Sequence, residues 1–128
     1  MATIYELLAK HYGATLTTNS ECRHTFTINK KNAKGEKIVI ELTRCENPGG
    51  KYSLPYIWHK NGCTPFVLPH WWSVDVSATD ADGVCRHAYN PQNTKKDGRN
   101  VVNFAFMLPA TMANALKIFD EVIKRAFA

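Results

Sequence analysis

Apolar residues recur along this chain with two different periods, and each change of period marks a change of element. Ile4, Leu7, Leu8 and His11 share one helical face. Thr3 and Glu6 form a capping box ahead of them: the Thr3 hydroxyl accepts from the Glu6 amide while the carboxylate reaches back. Gly13 supplies the left-handed residue that closes such a helix. The pattern predicts a short first helix that depends on packing, because isolated helices of that length are marginal in water.

A period of two follows. Cys22, His24, Phe26 and Ile28 alternate with Arg23, Thr25, Thr27 and Asn29, the signature of a half-buried strand. The polar run from Asn29 to Glu36 reads as a hairpin tip. Ile38, Ile40 and Leu42 then resume the alternation, with Lys37, Val39, Glu41 and Thr43 opposite. Asn47-Pro48-Gly49-Gly50 breaks it, since proline and paired glycines do not support a ladder.

Tyr56 to His59 looks extended, and Asn61-Gly62 is a strong two-residue hairpin turn. Pro55, Pro65 and Pro69 put that hairpin at an edge or off the sheet. Trp71 to Thr79 is a firmer strand, with Trp72, Val74, Val76 and Ala78 on one face. Asp80-Ala81-Asp82-Gly83 turns it into Val84 to Tyr89. A long polar loop, Asn90 to Asn100, precedes Val101 to Leu108, whose apolar row is Val102, Phe104, Phe106 and Leu108. After Pro109, the residues Met112, Leu116, Phe119, Ile123 and Phe127 trace an amphipathic last helix, widened by Ala115 and Val122. Asp120 with Lys124 and Glu121 with Arg125 are i,i+4 pairs in the favourable order.

These elements add up to one α+β domain spanning residues 1–128. It holds a mostly antiparallel sheet of about five to six strands, with a short N-terminal helix and a longer C-terminal helix packed on it.

Composition changes the picture in two respects. Hydrophobic residues make up 45% and charged ones 21% of the 128, which is ordinary globular usage and argues against disorder. Lys and Arg number 16 against 11 Asp and Glu, leaving a net charge of +5 that favours an acidic partner: a protein surface, a nucleotide or a nucleic acid. The first residues carry no charged segment leading into an apolar run, and no stretch of ~18 apolar residues occurs, so the chain reads as cytoplasmic and without a membrane partner. Its four cysteines are then expected as thiols or metal ligands.

Binding chemistry is the best represented. Lys30, Lys31, Lys34 and Lys37 surround one hairpin tip, and Lys95, Lys96 and Arg99 lie in the long loop. Cations at such tips meet phosphates or carboxylates through charge-assisted hydrogen bonds. Trp58, His70 and Trp71 add an aromatic patch. Adjacent tryptophans on a strand face opposite sides, so Trp71 is expected outside if Trp72 enters the core. The chain therefore reads as a binding or inhibitor protein, of the kind met among accessory proteins of phages and mobile elements. The alternatives are a nucleic-acid module that contacts phosphates and a zinc-supported module or small hydrolase.

Metal and catalytic chemistry have weaker footing. Cys22-Arg23-His24 and Cys85-Arg86-His87 are the same tripeptide, and each places a sulfur and an imidazole on one side of a strand. Brought together, Cys22, His24, Cys85 and His87 would make a zinc site, although Cys-x-His is tighter than the usual ligand spacing. No phosphate loop, nucleophile elbow or His-Glu-x-x-His motif occurs, so the sequence points away from an enzyme.

Overall fold

The computed structural model describes residues 2–46, 57–59, 62–64, 70–87, 89, 94–96, 99–101 and 111–128. In chain order the elements are α1 (Ile4–Tyr12), β1 (Ala14–Thr18), β2 (Arg23–Lys31), β3 (Lys37–Glu46), β4 (Ile57–His59), β5 (Gly62–Thr64), β6 (His70–Thr79), β7 (Cys85–His87), β8 (Thr94–Lys96), β9 (Arg99–Val101) and α2 (Met112–Ala126). Five of the strands form one antiparallel sheet in the order β1-β2-β3-β6-β7, while β4–β5 and β8–β9 are separate two-stranded ribbons. The fold is α+β.

The sheet buries one row from each central strand: Phe26 and Ile28 from β2, Ile38, Ile40 and Leu42 from β3, and Trp72, Val74, Val76 and Ala78 from β6. Both helices lie on that face. Phe119 of α2 meets Phe26 edge to face at 4.9 Å, and Tyr5 of α1 stacks on His24 at 3.4 Å. The Tyr12 hydroxyl donates to the Asp120 carboxylate at 2.6 Å and ties the helices to each other. Burial, then the Asp120 carboxylate, raise the Tyr12 phenol well above its ordinary range.

The first helix starts and stops at the residues expected to make it, whereas the Thr111 cap of the last helix was not foreseen. Thr3 accepts from the Glu6 amide at 3.1 Å, and Gly13 closes α1 in the left-handed region with φ 61°. Thr111 caps α2 by accepting from the Asn114 amide at 3.3 Å.

The buried faces differ from those read off the sequence. In α1 the buried pair is Leu8 and Ala9, flanked by Tyr5 and Tyr12, while Leu7 is 47% exposed. Packing of the two tyrosines over the sheet and α2 rotates the helix away from the Leu7 side. In α2 the buried stripe is Ala115, Ile118, Phe119, Val122 and Ala126, with Met112, Leu116 and Phe127 at its borders. Ala115 and Ala126 mark the two ends of that stripe, and both are buried.

Other boundaries shift as well. β1 is an unforeseen edge strand; its Ala14, Thr15, Leu16 and Thr17 do alternate. β2 runs on through Lys31, so the hairpin tip is Asn32–Glu36 rather than Asn29–Glu36. His59 pairs with Gly62, which makes Gly62 a strand residue; residues 60 and 61 between them lie outside the described set, as does the Val102–Leu108 row. The polar segment read as a loop contains the β8–β9 ribbon. No helix among the described residues is long and apolar enough to cross a membrane.

Candidate anion-binding end of the sheet

Both helices and the β2–β3 hairpin converge at one end of the molecule. The hairpin turn is short: the Gly35 amide donates to the Asn32 carbonyl at 2.9 Å, and Gly35 adopts φ 77°. Asn32, 7% exposed, organises it. Its Oδ1 accepts from the Lys34 and Glu36 amides at 3.1 and 2.8 Å, and its Nδ2 donates to Glu36 Oε1 at 2.8 Å and to the Ala126 carbonyl at 3.0 Å. The last bond takes up a carbonyl that the end of α2 leaves without a helical partner.

Glu36, 3% exposed, is the hub. Besides Asn32, it accepts from the Tyr89 hydroxyl at 2.9 Å and from the Arg86 guanidinium. The Asn32 and Arg86 hydrogen bonds outweigh burial and hold the carboxyl down to about 2, so it is ionised at neutral pH. Lys34 Nζ donates to the Tyr89 hydroxyl at 3.4 Å and stands 5.8 Å from the ring centroid; the Arg86 guanidinium stands 5.8 Å from the same ring. Tyr89 is the one non-glycine with positive φ (60°) among the described residues. Lys30 lies over the Phe127 ring at 5.6 Å.

Around this hub the charge is positive. Lys31 and Lys37 are directly opposite each other across β2 and β3. Like charges in that relation destabilise a sheet. Lys124 and Arg125 close α2, where cations suit the negative end of the helix dipole. Of the acids nearby, Glu36 is bonded as described, Glu121 pairs with Arg125 at 2.9 Å, Asp120 with Tyr12, and Asp80 accepts from the amides of Asp82 and Val84 at 3.0 Å each, while Asp82 is exposed in the same turn.

The structure divides the residues expected to bind. Lys30, Lys31 and Lys34 belong to this end. His70 and Trp71 begin β6, opposite Glu46 and Cys45, whereas Thr79 at the other end of that strand faces Lys37. Nine residues of strand place them about 30 Å from the lysine end, so they do not form one patch with it. Lys95 and Lys96 pair with Asn100 and Arg99 across the second ribbon, and β9 lies beside β4, which carries Trp58.

The zinc tetrad does not assemble. β3 and β6 separate β2 from β7, a gap of about 14 Å at the usual strand spacing. His24 is buried on the helix-covered face, while His87 pairs with Ser77 on the opposite face, and Cys22 and Cys85 are exposed. Among the described residues no group of three or more His, Cys, Asp or Glu is arranged to hold a metal. His24 instead serves packing: its Nε2 donates to the Glu21 carbonyl at 3.3 Å, which leaves Nδ1 to accept from the Thr18 hydroxyl at 3.2 Å. That pattern is the one a neutral ring makes. Burial, opposed by the Glu21 bond, lowers the His24 pKa accordingly. His87 Nδ1 meets the Asp75 carboxylate at 3.0 Å on the open face.

Sequence reasoning missed Asn32, Glu36, Arg86 and Tyr89 as a unit. The one usable signal is Glu36 itself, a single acid in a run of lysines. No protein-family model, curated protein or solved structure matches this chain.

Proposed function

We propose that this is a non-enzymatic binding or inhibitor protein that docks an acidic partner through the end bearing Lys30, Lys31, Lys34 and Lys37. The observation that carries this reading is the Lys31–Lys37 pair. Opposed like charges cost stability, so their presence on a rigid hairpin fits a surface completed by an external anion. The tip, pinned by buried Asn32 and Glu36, supports it, because a turn already held in place lowers the backbone ordering cost of binding. The β4 and β8–β9 region, with Trp58, Lys95, Lys96 and Arg99, would supply a second contact to the same partner.

The test is a panel of polyanions: duplex DNA, single-stranded RNA and polyglutamate, each titrated across a salt series. Binding to at least one is expected, with affinity falling as salt rises. A triple substitution, Lys30→Glu, Lys31→Glu and Lys37→Glu, should abolish it while leaving the circular dichroism unchanged. Absence of binding at low salt, or indifference to the triple substitution, refutes the reading.

A further inference from the structure

We infer that Lys34, Arg86 and Tyr89 form a phosphate-binding notch, in which the two cations grip a phosphate group beside the Tyr89 ring. This rests on the docking role assigned above and names the chemistry at its centre. The three residues come from a turn, from β7 and from just beyond it, and meet only in the folded chain. Lys34 and Arg86 each stand 5.8 Å from one aromatic centroid, so two positive charges crowd a single ring. Glu36 is the one carboxylate bonded to this group, and it faces Arg86 from the protein side. Lys34 plus Arg86 less Glu36 leaves one uncompensated positive charge, with Lys31 and Lys37 on the same hairpin.

Donor capacity points to phosphate rather than carboxylate. The Lys34 ammonium spends one proton on the Tyr89 hydroxyl and keeps two. The Arg86 side chain is 53% exposed and has five N–H groups, of which the bond to Glu36 engages the Nη2 side. A tetrahedral group with three acceptor oxygens can take donors arriving from both residues, while a planar carboxylate uses fewer. The Tyr89 hydroxyl gives its proton to Glu36, so it orients Lys34 and does not itself donate to the ligand. Tyr89 sits in the left-handed region at a backbone cost, and its ring is held there by both cations and by Glu36. Buried Glu36 plays a positioning role. It fixes the direction of the guanidinium as a second carboxylate fixes a metal-bound imidazole.

The experiment is a titration of the full chain with inorganic phosphate, followed by NMR at the Arg86 Nε–H and the Tyr89 ring. A saturable shift of both is expected, and a tetraglutamate peptide should bind about tenfold more weakly. Lys34→Ala and Arg86→Lys should each weaken phosphate binding about tenfold, the second because a lysine keeps the charge toward Glu36 but loses the fork. Lys34 lies on an exposed turn, so its variant reports on binding even if Arg86→Lys alters folding. A free nucleotide and an oligonucleotide lacking terminal phosphates, run in parallel, separate a monoester source from a backbone source. No saturable shift, equal affinity for the peptide, or an unchanged Lys34→Ala variant overturns the notch. If the triple lysine reversal abolishes polyanion binding while Lys34→Ala and Arg86→Lys preserve it, the notch fails and the docking surface stands.

Discussion

Asn32 and Ala126 are 94 residues apart in the chain, yet the Asn32 side chain donates to the Ala126 carbonyl at 3.0 Å. The bond joins the tip of a hairpin to the end of the last helix, and the same amide holds Glu36. Replacing Asn32 with alanine leaves the Ala126 carbonyl and the Glu36 amide without these partners in a buried place. A loss of about 1–3 kcal/mol is expected for each group left unsatisfied. Urea unfolding of Asn32→Ala, read with hydrogen exchange in the last turn of α2, measures both the loss and its location.

Lys31→Glu should improve stability and impair binding at once. The substitution turns a repulsive cross-strand pair with Lys37 into an attractive one, a gain of about 0.2–1 kcal/mol. Thermal unfolding gives the first effect and polyanion affinity the second. A variant that loses stability would show that the pair is not opposed in solution.

Acid should weaken the fold in two separate windows. His24 has a lowered pKa, so the unfolded chain takes up a proton below the ordinary value of 6.5 while the folded chain resists it. Stability is therefore fully present above 6.5 and declines as the pH falls below it. Glu36 contributes above its ordinary value of 4.5, and that contribution is lost as the pH falls toward about 2. Unfolding free energy measured against pH should show both slopes. His24→Gln should remove the upper one and Glu36→Gln the lower.

Phe119→Ala should be the most damaging single change in α2. Phe119 is fully buried and packs edge to face on Phe26 and at 5.2 Å from Tyr12. Truncation of such a ring costs about 3–5 kcal/mol, a large share of a typical domain's stability. Leu7→Ala, on the exposed side of α1, should cost far less. The comparison by chemical denaturation also checks which face of α1 is buried.

The strand rows were legible because their signal is local. Phe26, Ile38, Ile40, Trp72 and Val76 announce their shared burial through alternation alone. The helical stripes were half legible. Periodicity locates an apolar arc, but the central line of contact depends on the neighbour: Tyr5 and Tyr12 turn α1 away from Leu7, and in α2 the buried line runs through Ala115, Ile118, Phe119, Val122 and Ala126. The candidate site was legible only as a list of lysines. Glu36, Arg86 and Tyr89 are polar, lie in or beside turns, and show no period.

The zinc reading failed for a related reason. Cys22-Arg23-His24 and Cys85-Arg86-His87 look equivalent as text, but strand order puts β3 and β6 between them and register sends His24 and His87 to opposite faces.

Backbone sterics and side-chain alternation act between near neighbours, so residue order alone determined the capped first helix, the pleated rows and the surplus of positive charge. Where that charge gathers was decided by tertiary structure. The Glu36–Arg86 pair spans 50 residues, and no local preference encodes which strand lies beside which or in what register. A slip of one residue in β7 would carry Arg86 to the other face of the sheet, and Glu36 would lose the guanidinium that it now holds.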